Sequence, residues 1–133
     1  MIRWQKLLWT NKADKTNNKA IGAVTEQFAK QYLIQQGLTF VDENIHCRQG
    51  EIDLIMKDDD LLIFIEVKYR KNSHFGGAIA AVSNVKQNKI KHSATFYLHK
   101  MNLNEYNTPC RFDVIALEGD INQPQVTWLK NAF

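Results

Sequence analysis

The sequence predicts an α/β protein, a mixed β-sheet flanked by helices with the element order α-β-β-β-α-β-β. Two segments, residues 20–36 and 83–100, carry apolar side chains at the period of an amphipathic helix. Between and after them lie shorter segments in which side-chain character alternates as it does along a strand. Residues 61–69 are apolar on both faces, which is typical of a central strand that is covered on both sides.

The element ends are marked by residues that favour caps and turns. Gly37 is a typical residue at a helix C-terminus, and Ser83 is a suitable N-cap for the second helix. Asp58-Asp59-Asp60 is predicted to form the turn between the second and third strands. The strands are predicted at five places: residues 38–45, 51–57, 61–69, 111–117 and 126–129.

The composition is that of one ordinary globular domain. The chain has 133 residues, of which 44% are hydrophobic and 23% charged, and this is enough for a single core. Residues 1–19 carry five Lys or Arg side chains against one Asp, so we expect a basic, loosely ordered N-terminal arm before a single domain at residues 20–133. The formal net charge of +3 is compatible with a polyanionic partner but is weak support for one.

The two cysteines, Cys47 and Cys110, do not form a C-x-x-C pair and are too few for a disulfide scaffold. No apolar run reaches the roughly 20 residues that a membrane span requires. The N-terminal region also lacks the uninterrupted apolar stretch of a signal peptide. We therefore expect a cytoplasmic protein with reduced thiols and no membrane partner.

The strongest functional signal is a set of charged residues inside two apolar segments. Asp53 lies in Gly50-Glu51-Ile52-Asp53-Leu54-Ile55, and Glu66 and Lys68 lie in Phe64-Ile65-Glu66-Val67-Lys68-Tyr69-Arg70. Charged residues are rare inside buried strands because burying an unpaired charge is costly. Neighbouring Asp and Glu side chains repel each other, and a divalent cation between them relieves the repulsion. The pattern therefore indicates a metal site with a lysine beside it.

The turn between these two strands determines whether the acids meet. If Asp59-Asp60 is a two-residue turn, Asp53 lies directly opposite Glu66, with Cβ atoms roughly 5 Å apart. Two carboxylates at this separation suit Mg²⁺, at oxygen–metal distances of about 2.1 Å. A register slip of one residue would move Asp53 to the other face and remove the site. An alternative stays open, in which Glu66 and Lys68 form a structural ion pair and Asp53 caps a turn.

The pattern Asp53…Glu66-Val67-Lys68 resembles the PD-(D/E)xK nuclease superfamily, whose members have the restriction-endonuclease-like fold. Over about residues 20–133 the chain is similar to one branch of it, the YraN-like family of uncharacterised bacterial proteins, also called uncharacterised protein family 0102. A lone Asp…Glu-x-Lys motif is weak, whereas the full set of matching segments in this order is specific. These segments are Gly22 with Glu26, Asn44 to Ile55, Phe64 to Arg70, Phe75-Gly76, Lys86 with Lys89, Arg111-Phe112-Asp113 and Asn131-Ala132-Phe133.

The resemblance implies a restriction-endonuclease-like mixed sheet in a single nuclease-like domain. It also implies Asp53 and Glu66 as metal ligands and Lys68 as the catalytic lysine. The chain is similar, too, to archaeal Holliday-junction resolvases, in which a glutamate of the first helix joins the site, and Glu26 is the matching position. The family commonly has Gly-Glu where this chain has Thr25-Glu26, which leaves open how closely this helix approaches a substrate.

Four cations are candidates for contacts with nucleic acid. Lys86 and Lys89 lie near the start of the second helix, where side chains are suited to phosphate contacts, and a solvated helix face is the alternative. Arg70 continues the strand face that carries Glu66, and Arg48 precedes the second strand. A surface ion pair is the alternative for each of these arginines.

Other charged residues are assigned to simpler contacts. Glu51 is expected to bind a metal through water or to pair with Arg48 or Arg70. Arg111 and Asp113 lie on one face of a strand, so we expect them to pair with each other rather than to act in catalysis.

These residues predict a Mg²⁺- or Mn²⁺-dependent endonuclease, a phosphodiesterase that acts on DNA, with branched or structured DNA as a candidate substrate. Asp53 and Glu66 would hold the metal, Lys68 would serve the attacking water, and Glu26 would assist. The alternative is a non-catalytic nucleic-acid-binding module on the same fold, and a third hypothesis is an assembly protein. The choice between DNA and RNA stays open. A resolvase-like enzyme would need a homodimer to cut two strands symmetrically.

Overall fold

The computed structural model describes residues 14–72 and 82–133, which form one sheet with helices packed on it. The elements follow the order α-β-β-β-α-β-β, and the predicted class is confirmed. They are α1 (Asp14–Gln35), β1 (Thr39–Cys47), β2 (Gly50–Asp58), β3 (Leu61–Arg70), α2 (Asn84–Lys100), β4 (Cys110–Glu118) and β5 (Gln125–Leu129). Residues 1–13, which make up most of the predicted basic arm, and the Phe75-Gly76 pair lie outside the described residues.

Helix α1 begins at Asp14 instead of near residue 20, so residues 14–19 of the predicted arm are helical. This stretch is polar and has no apolar stripe that would reveal a helix. It also lacks Pro and Gly, so a helix that is nucleated by its packed face can extend into it. The helix ends as predicted, because Gly37 has a φ of +99° and the Leu38 N–H donates to the Leu33 carbonyl at 3.1 Å.

The sheet has the strand order β1-β2-β3-β4-β5, with β3 at its centre. Neighbouring strands are antiparallel except β3 and β4, which are parallel and are connected through α2, as a parallel pair requires. β2 and β3 form a hairpin around the two-residue turn Asp59-Asp60. Their ladder runs from the Asp58–Leu61 pair to the Leu54–Ile65 pair, which is the register expected from the sequence.

Two hydrophobic clusters lie on opposite faces of the sheet, because β2, β3 and β4 carry apolar residues on both faces. The cluster under α1 contains Ala29, Leu33, Leu38, Leu54, Met56, Ile63, Ile65, Ile115 and Leu117. The cluster under α2 contains Ile52, Ile55, Leu62, Phe64, Ala94, Tyr97 and Leu98. Successive residues of β3 alternate between the two clusters, which makes it the covered central strand that its composition predicts.

Asp113 of β4 is a fully buried carboxylate that connects β4 to the end of the sheet. It accepts two hydrogen bonds from the Arg111 guanidinium, at 2.8 and 2.9 Å. It also accepts one from the Trp128 indole at 2.9 Å and one from the Asn131 backbone N–H at 2.8 Å. The expected pairing of Arg111 with Asp113 is confirmed, and these donors compensate the burial of the charge.

Cys47 and Cys110 are both free thiols. No helix within residues 14–72 and 82–133 has the length and apolar character needed to cross a membrane.

Candidate active site

The candidate site lies where β2 and β3 stop pairing through their backbones. The ladder between them ends at the Leu54–Ile65 pair, and the next position in this register places Asp53 opposite Glu66. There the Asp53 carboxylate, instead of a backbone carbonyl, accepts a hydrogen bond from the Val67 N–H at 2.9 Å. This bond holds Asp53 against β3 at the point where the ladder ends.

β2 also departs from regular alternation at this point. Ile52 packs in the α2-side cluster together with Ile55, although strict alternation places residues three apart on opposite faces. Leu54 and Met56 pack under α1, as alternation from Ile55 requires. The irregularity therefore falls at Asp53, between a regular strand and the segment that no longer pairs with β3.

Glu66 is buried on the central strand, with 3% of its surface exposed. Its Oε2 atom lies 3.2 Å from Lys68 Nζ and 3.4 Å from Lys86 Nζ. Lys68 follows Glu66 by two residues on β3, and Lys86 comes from the first turn of α2. Two elements thus bring a cation to one carboxylate oxygen, and both lysine side chains are partly exposed.

Burial raises the pKa of Asp53 to about 8, and repulsion by the Glu66 carboxylate contributes to the rise. The hydrogen bond from the Val67 N–H acts in the opposite direction, and a hydrogen bond with Glu66 adds to the rise. At neutral pH the Asp53 carboxyl therefore retains its proton in most molecules and can donate it to Glu66. The two acids lie close enough to share a proton where the sequence predicts a metal ion.

Glu26 of α1 also reaches these acids. Its half-buried carboxyl forms a hydrogen bond with Asp53, which lowers its pKa. The net shift is upward, because burial, followed by repulsion from Glu66, Glu43 and Glu51, raises the pKa of Glu26 more strongly. Three acids from α1, β2 and β3 therefore converge, and Glu26 is close to Asp53, as its resemblance to the resolvase position implied.

The chemistry of Asp53 and Glu66 suits a small divalent cation. Carboxylate oxygens are the ligands that Mg²⁺ and Mn²⁺ prefer. Within the described ranges, no group of three His, Cys, Asp or Glu side chains is arranged to hold a metal ion. Mg²⁺ is usually held by one or two carboxylates and several waters, so Asp53 and Glu66 would suffice as protein ligands.

A cavity of about 420 Å³ lies between the β1–β2 turn and the start of α2, and we call it the basic cavity. Lys86 belongs both to its lining and to the Glu66 ion pair. Three of the four cations predicted to contact nucleic acid, Arg48, Lys86 and Lys89, meet there from distant parts of the chain. The full lining comes from the β1–β2 turn and the start of α2: His46, Cys47, Arg48, Gln49, Gly50, Glu51, Lys86 and Lys89.

The basic cavity depends on a close approach of the β1–β2 turn to α2. A Cβ atom at Gly50 would lie 3.3 Å from Lys89 Cβ and 3.4 Å from Ser93 Oγ. Ser93 is fully buried, and its hydroxyl accepts a hydrogen bond from the Cys47 thiol at 3.0 Å. A side chain at position 50 would therefore push the turn, and Arg48 with it, away from the helix.

Arg70 lies apart from the basic cavity, whereas Glu51 lines it and pairs with a residue of β1. Arg70 does not line the basic cavity and instead lies at the end of β3, beside Glu118 of β4. Glu51 pairs with His46, at 3.1 Å, instead of with Arg48 or Arg70. The reason is the β1–β2 register, which places His46 directly opposite Glu51.

The contact between Lys86 and Glu66 was missed by sequence reasoning, which expected Lys86 to contact phosphate or to lie on a solvated helix face. A lysine in the first turn of a helix interacts unfavourably with the positive end of the helix dipole. No acidic residue occupies the first turn of α2, so a local partner does not explain the position. This unfavourable placement is the one signal in the sequence that Lys86 has a partner elsewhere in the fold.

The fold and the site define a class, an α/β protein in which acids from α1, β2 and β3 meet two lysines beside a basic cavity. The chain belongs to the uncharacterised protein family UPF0102, whose sequence model matches residues 25–117. The family named from the sequence resemblance is therefore confirmed. The matched range extends from α1 to β4 and contains every predicted site residue.

Relatives in this family match most of the chain. A UPF0102 protein from Colwellia psychrerythraea is 65% identical over 129 residues, which cover 96% of this chain and 100% of the relative. One from Legionella pneumophila is 46% identical over 112 residues, which cover 84% of this chain and 92% of the relative. One from Pectobacterium carotovorum is 44% identical over 117 residues, which cover 88% of this chain and 96% of the relative. The names of these relatives state a family and no activity.

Proposed function

We propose that this protein is a Mg²⁺- or Mn²⁺-dependent endonuclease of the PD-(D/E)xK superfamily that hydrolyses phosphodiester bonds in DNA. The observation that carries the proposal is the pair of adjoining acids on β2 and β3. Glu66 is 3% exposed, and the pKa of Asp53 beside it is raised to about 8. Such a pair opposes folding, and acids with strongly shifted pKa values are enriched at functional sites.

Asp113 provides a contrast within the same sheet, because it is a buried carboxylate with structural partners. Its oxygens are occupied by the Arg111 guanidinium, the Trp128 indole and the Asn131 backbone. Asp53, by comparison, is buried next to another acid, and its burial together with repulsion by Glu66 raises its pKa. The fold can give a buried carboxylate such as Asp113 a full set of hydrogen-bond donors, so it has no structural need to bury Asp53 beside Glu66. This supports a functional role for Asp53.

The proposed mechanism assigns a task to each charged side chain. Asp53 and Glu66 hold the metal ion, and Glu26, which contacts Asp53, keeps that carboxylate in position. When bound, Mg²⁺ or Mn²⁺ supplies positive charge that stabilises the scissile phosphate and makes water a stronger nucleophile. Lys68, next to Glu66, orients the attacking water or stabilises the negative charge that develops on the phosphate.

The basic cavity supports a polyanionic substrate. Arg48, Lys86 and Lys89 would contact phosphates, which gives affinity without sequence recognition, and Arg70 would contact the backbone beyond the site. Affinity of this kind suits an enzyme that recognises the structure of DNA, and we propose branched or structured DNA as the substrate. Symmetric cutting of two strands would require a homodimer. Because the proposed substrate is cellular DNA, we propose that the enzyme acts in the cytoplasm.

A second candidate is a non-catalytic nucleic-acid-binding module on the same fold. The observation that favours it is that Lys68 and Lys86 both already contact Glu66, so this acid has cationic partners without a metal ion. This candidate predicts salt-dependent DNA binding that does not change when Asp53 is replaced.

The first prediction concerns cleavage of a labelled panel of single-stranded, duplex, flap and four-way-junction DNA, with Mg²⁺, Mn²⁺ or EDTA. We expect metal-dependent cutting that is lost, by about 100-fold or more, in Asp53→Asn and Lys68→Ala. Lys68→Ala should still bind the substrate, because its role is in the chemical step.

Matched controls use residues at the other end of the hairpin. Asp60→Asn and Lys57→Ala remove the same charges from exposed positions and should cleave at the wild-type rate. Cleavage by Lys68→Ala at the wild-type rate would refute the mechanism. Binding without cutting, unchanged in Asp53→Asn, would instead support the binding module.

A further inference from the structure

A second surface on α2 leads away from the proposed active site. Its residues are spaced by three or four positions, which places them on one face of the helix, and each is exposed. Phe96 retains 46% of its surface, so its ring is accessible to a ligand. We call this face the α2 stripe, and it consists of Val85, Lys89, His92, Phe96 and His99.

The α2 stripe continues the basic cavity. A second cavity of about 420 Å³ is lined by Gln49, His92, Thr95, Phe96 and His99. Gln49 also lines the basic cavity, so the two cavities adjoin at the β1–β2 turn. One surface therefore runs from the Glu66–Lys86 pair, past Lys89, to the ring of Phe96.

The lining of this surface suits a polyanion. The second cavity has no acidic residue in its lining, and the basic cavity has three cations against one acid, Glu51. His92 and His99 line the second cavity together with Phe96, Lys89 precedes them on the α2 stripe, and Lys100 ends the helix. A solvent-exposed aromatic ring with basic side chains along one track is the combination that binds single-stranded nucleic acid.

The length of the track can be expressed in nucleotides. Lys86 and Phe96 are ten residues apart on α2, which corresponds to about 15 Å at a rise of about 1.5 Å per residue. At about 3.4 Å per stacked nucleotide, this distance covers about four nucleotides. A base on Phe96 would thus lie about four nucleotides from the phosphate at the proposed site.

We propose that the α2 stripe binds an unpaired strand of the substrate, with one base stacked on Phe96 and its phosphates near Lys89. The inference rests on the proposed function, because the strand belongs to the DNA that the proposed active site cuts. Stacking on a side chain requires an exposed base face, which a duplex does not offer along its length. The substrate class is therefore DNA with a single-stranded segment of about four nucleotides or more next to the cleaved position.

A second copy of this chain is the competing occupant of the α2 stripe. A twofold contact through this face would bring Lys89 of both copies into one interface. Like charges in an interface oppose association. The charges of the surface therefore favour nucleic acid over self-association.

The test measures binding in EDTA, by fluorescence anisotropy, so that it does not depend on cleavage. Labelled duplexes carry single-stranded tails of 0, 2, 4 or 8 nucleotides. We expect affinity to rise with tail length up to about four nucleotides and then to level off. Phe96→Ala should reduce the increase in affinity that the tail provides by about tenfold, and Phe96→Trp should retain that increase.

Tyr106→Ala is the matched control, because Tyr106 is an aromatic residue with 88% of its surface exposed outside the α2 stripe. It should bind all tails like the wild type. Equal affinity of wild-type protein for blunt and tailed duplexes would overturn the proposal. So would a dimer in sedimentation equilibrium that Phe96→Ala dissociates without changing tail binding, because the stripe would then join two copies.

The failure of this proposal and the failure of the proposed function have different signatures. If the protein is not a nuclease, no substrate is cut while the tail-dependent affinity and its loss in Phe96→Ala remain. If the α2 stripe does not bind a strand, the affinity is independent of the tail while Asp53 and Lys68 remain necessary for cleavage.

Discussion

At the scale of single residues, Asp53 combines a cost in stability with a proposed role in function. Its pKa is raised to about 8 from an ordinary value of 3.8, so the folded protein favours the protonated carboxyl. The ionised form therefore opposes folding. This destabilisation grows as pH rises from about 4 to about 8 and is complete above that range.

We predict that Asp53→Asn stabilises the metal-free protein, because an amide cannot ionise and its oxygen can still accept the Val67 N–H bond. The gain should be about 1–3 kcal/mol at pH 9 and smaller at pH 6. Thermal unfolding in EDTA at the two pH values measures it. Mg²⁺ should raise the melting temperature of the wild type and leave that of Asp53→Asn unchanged.

Asp60→Asn is the control for this measurement, since it removes the same charge at an exposed turn position. It should show no comparable gain at either pH. A variant Asp53→Asn that is less stable than the wild type at pH 9 would mean that its carboxylate stabilises the fold, as the structural alternative holds.

The residue contacts that are local in the sheet could be predicted from the sequence, and the remote ones could not. The two-residue turn determines that Asp53 meets Glu66, so the register follows from hairpin geometry. The contact of Lys86 with Glu66 depends on where α2 docks after the crossover, which side-chain periodicity does not specify. Glu26 was placed through family resemblance, because its position at the edge of an apolar face allows more than one orientation.

At the scale of elements, the strands and α2 follow their sequence patterns closely, whereas the start of α1 does not. Apolar periodicity reports only the part of a helix that packs, and residues 14–19 are polar. In the same way, alternation predicts the faces of β2 only while β2 pairs with β3. It fails at Ile52, beyond the last β2–β3 pair. The first departure lies in a polar stretch with no apolar stripe, and the second lies where the candidate site begins.

The approach of the β1–β2 turn to α2 gives a prediction at this scale. Gly50→Ala should destabilise the protein by about 1 kcal/mol, because its Cβ would lie 3.3 Å from Lys89 Cβ, an atom next to the helix backbone. The turn would move away from α2 and separate Arg48 from Lys89. DNA binding should therefore weaken several-fold, as measured by fluorescence anisotropy, and urea unfolding gives the stability.

Gly22→Ala provides a control of opposite sign. Gly22 lies inside α1, and a Cβ there would meet nothing within 4 Å. The substitution should stabilise the protein by about 0.5–1 kcal/mol through helix propensity. Equal changes in stability for the two alanine variants would show that the close approach at Gly50 has no energetic consequence.

At the scale of the whole molecule, the positions of the charges matter more for the attraction of DNA than the net charge does. The formal net charge is only +3, yet Arg48, Lys86 and Lys89 gather at one end of β2. The acidic turn at Asp58-Asp59-Asp60 lies at the other end, about 30 Å away for a strand of this length. A polyanion is therefore attracted to the end that carries the acids of the proposed site, and repelled from the other.

This asymmetry predicts that two lysines with equal charge contribute unequally to DNA binding. Each phosphate contact contributes about 0.9 to the slope of log affinity against log salt concentration on duplex DNA. Lys89→Ala should therefore reduce the magnitude of the slope by about one unit, because Lys89 lines the basic cavity. Lys57→Ala changes the net charge by the same amount at the acidic end of β2 and should leave the slope unchanged. Equal reductions in both variants, measured by titration between 50 and 200 mM salt, would mean that overall charge rather than the basic cavity attracts DNA.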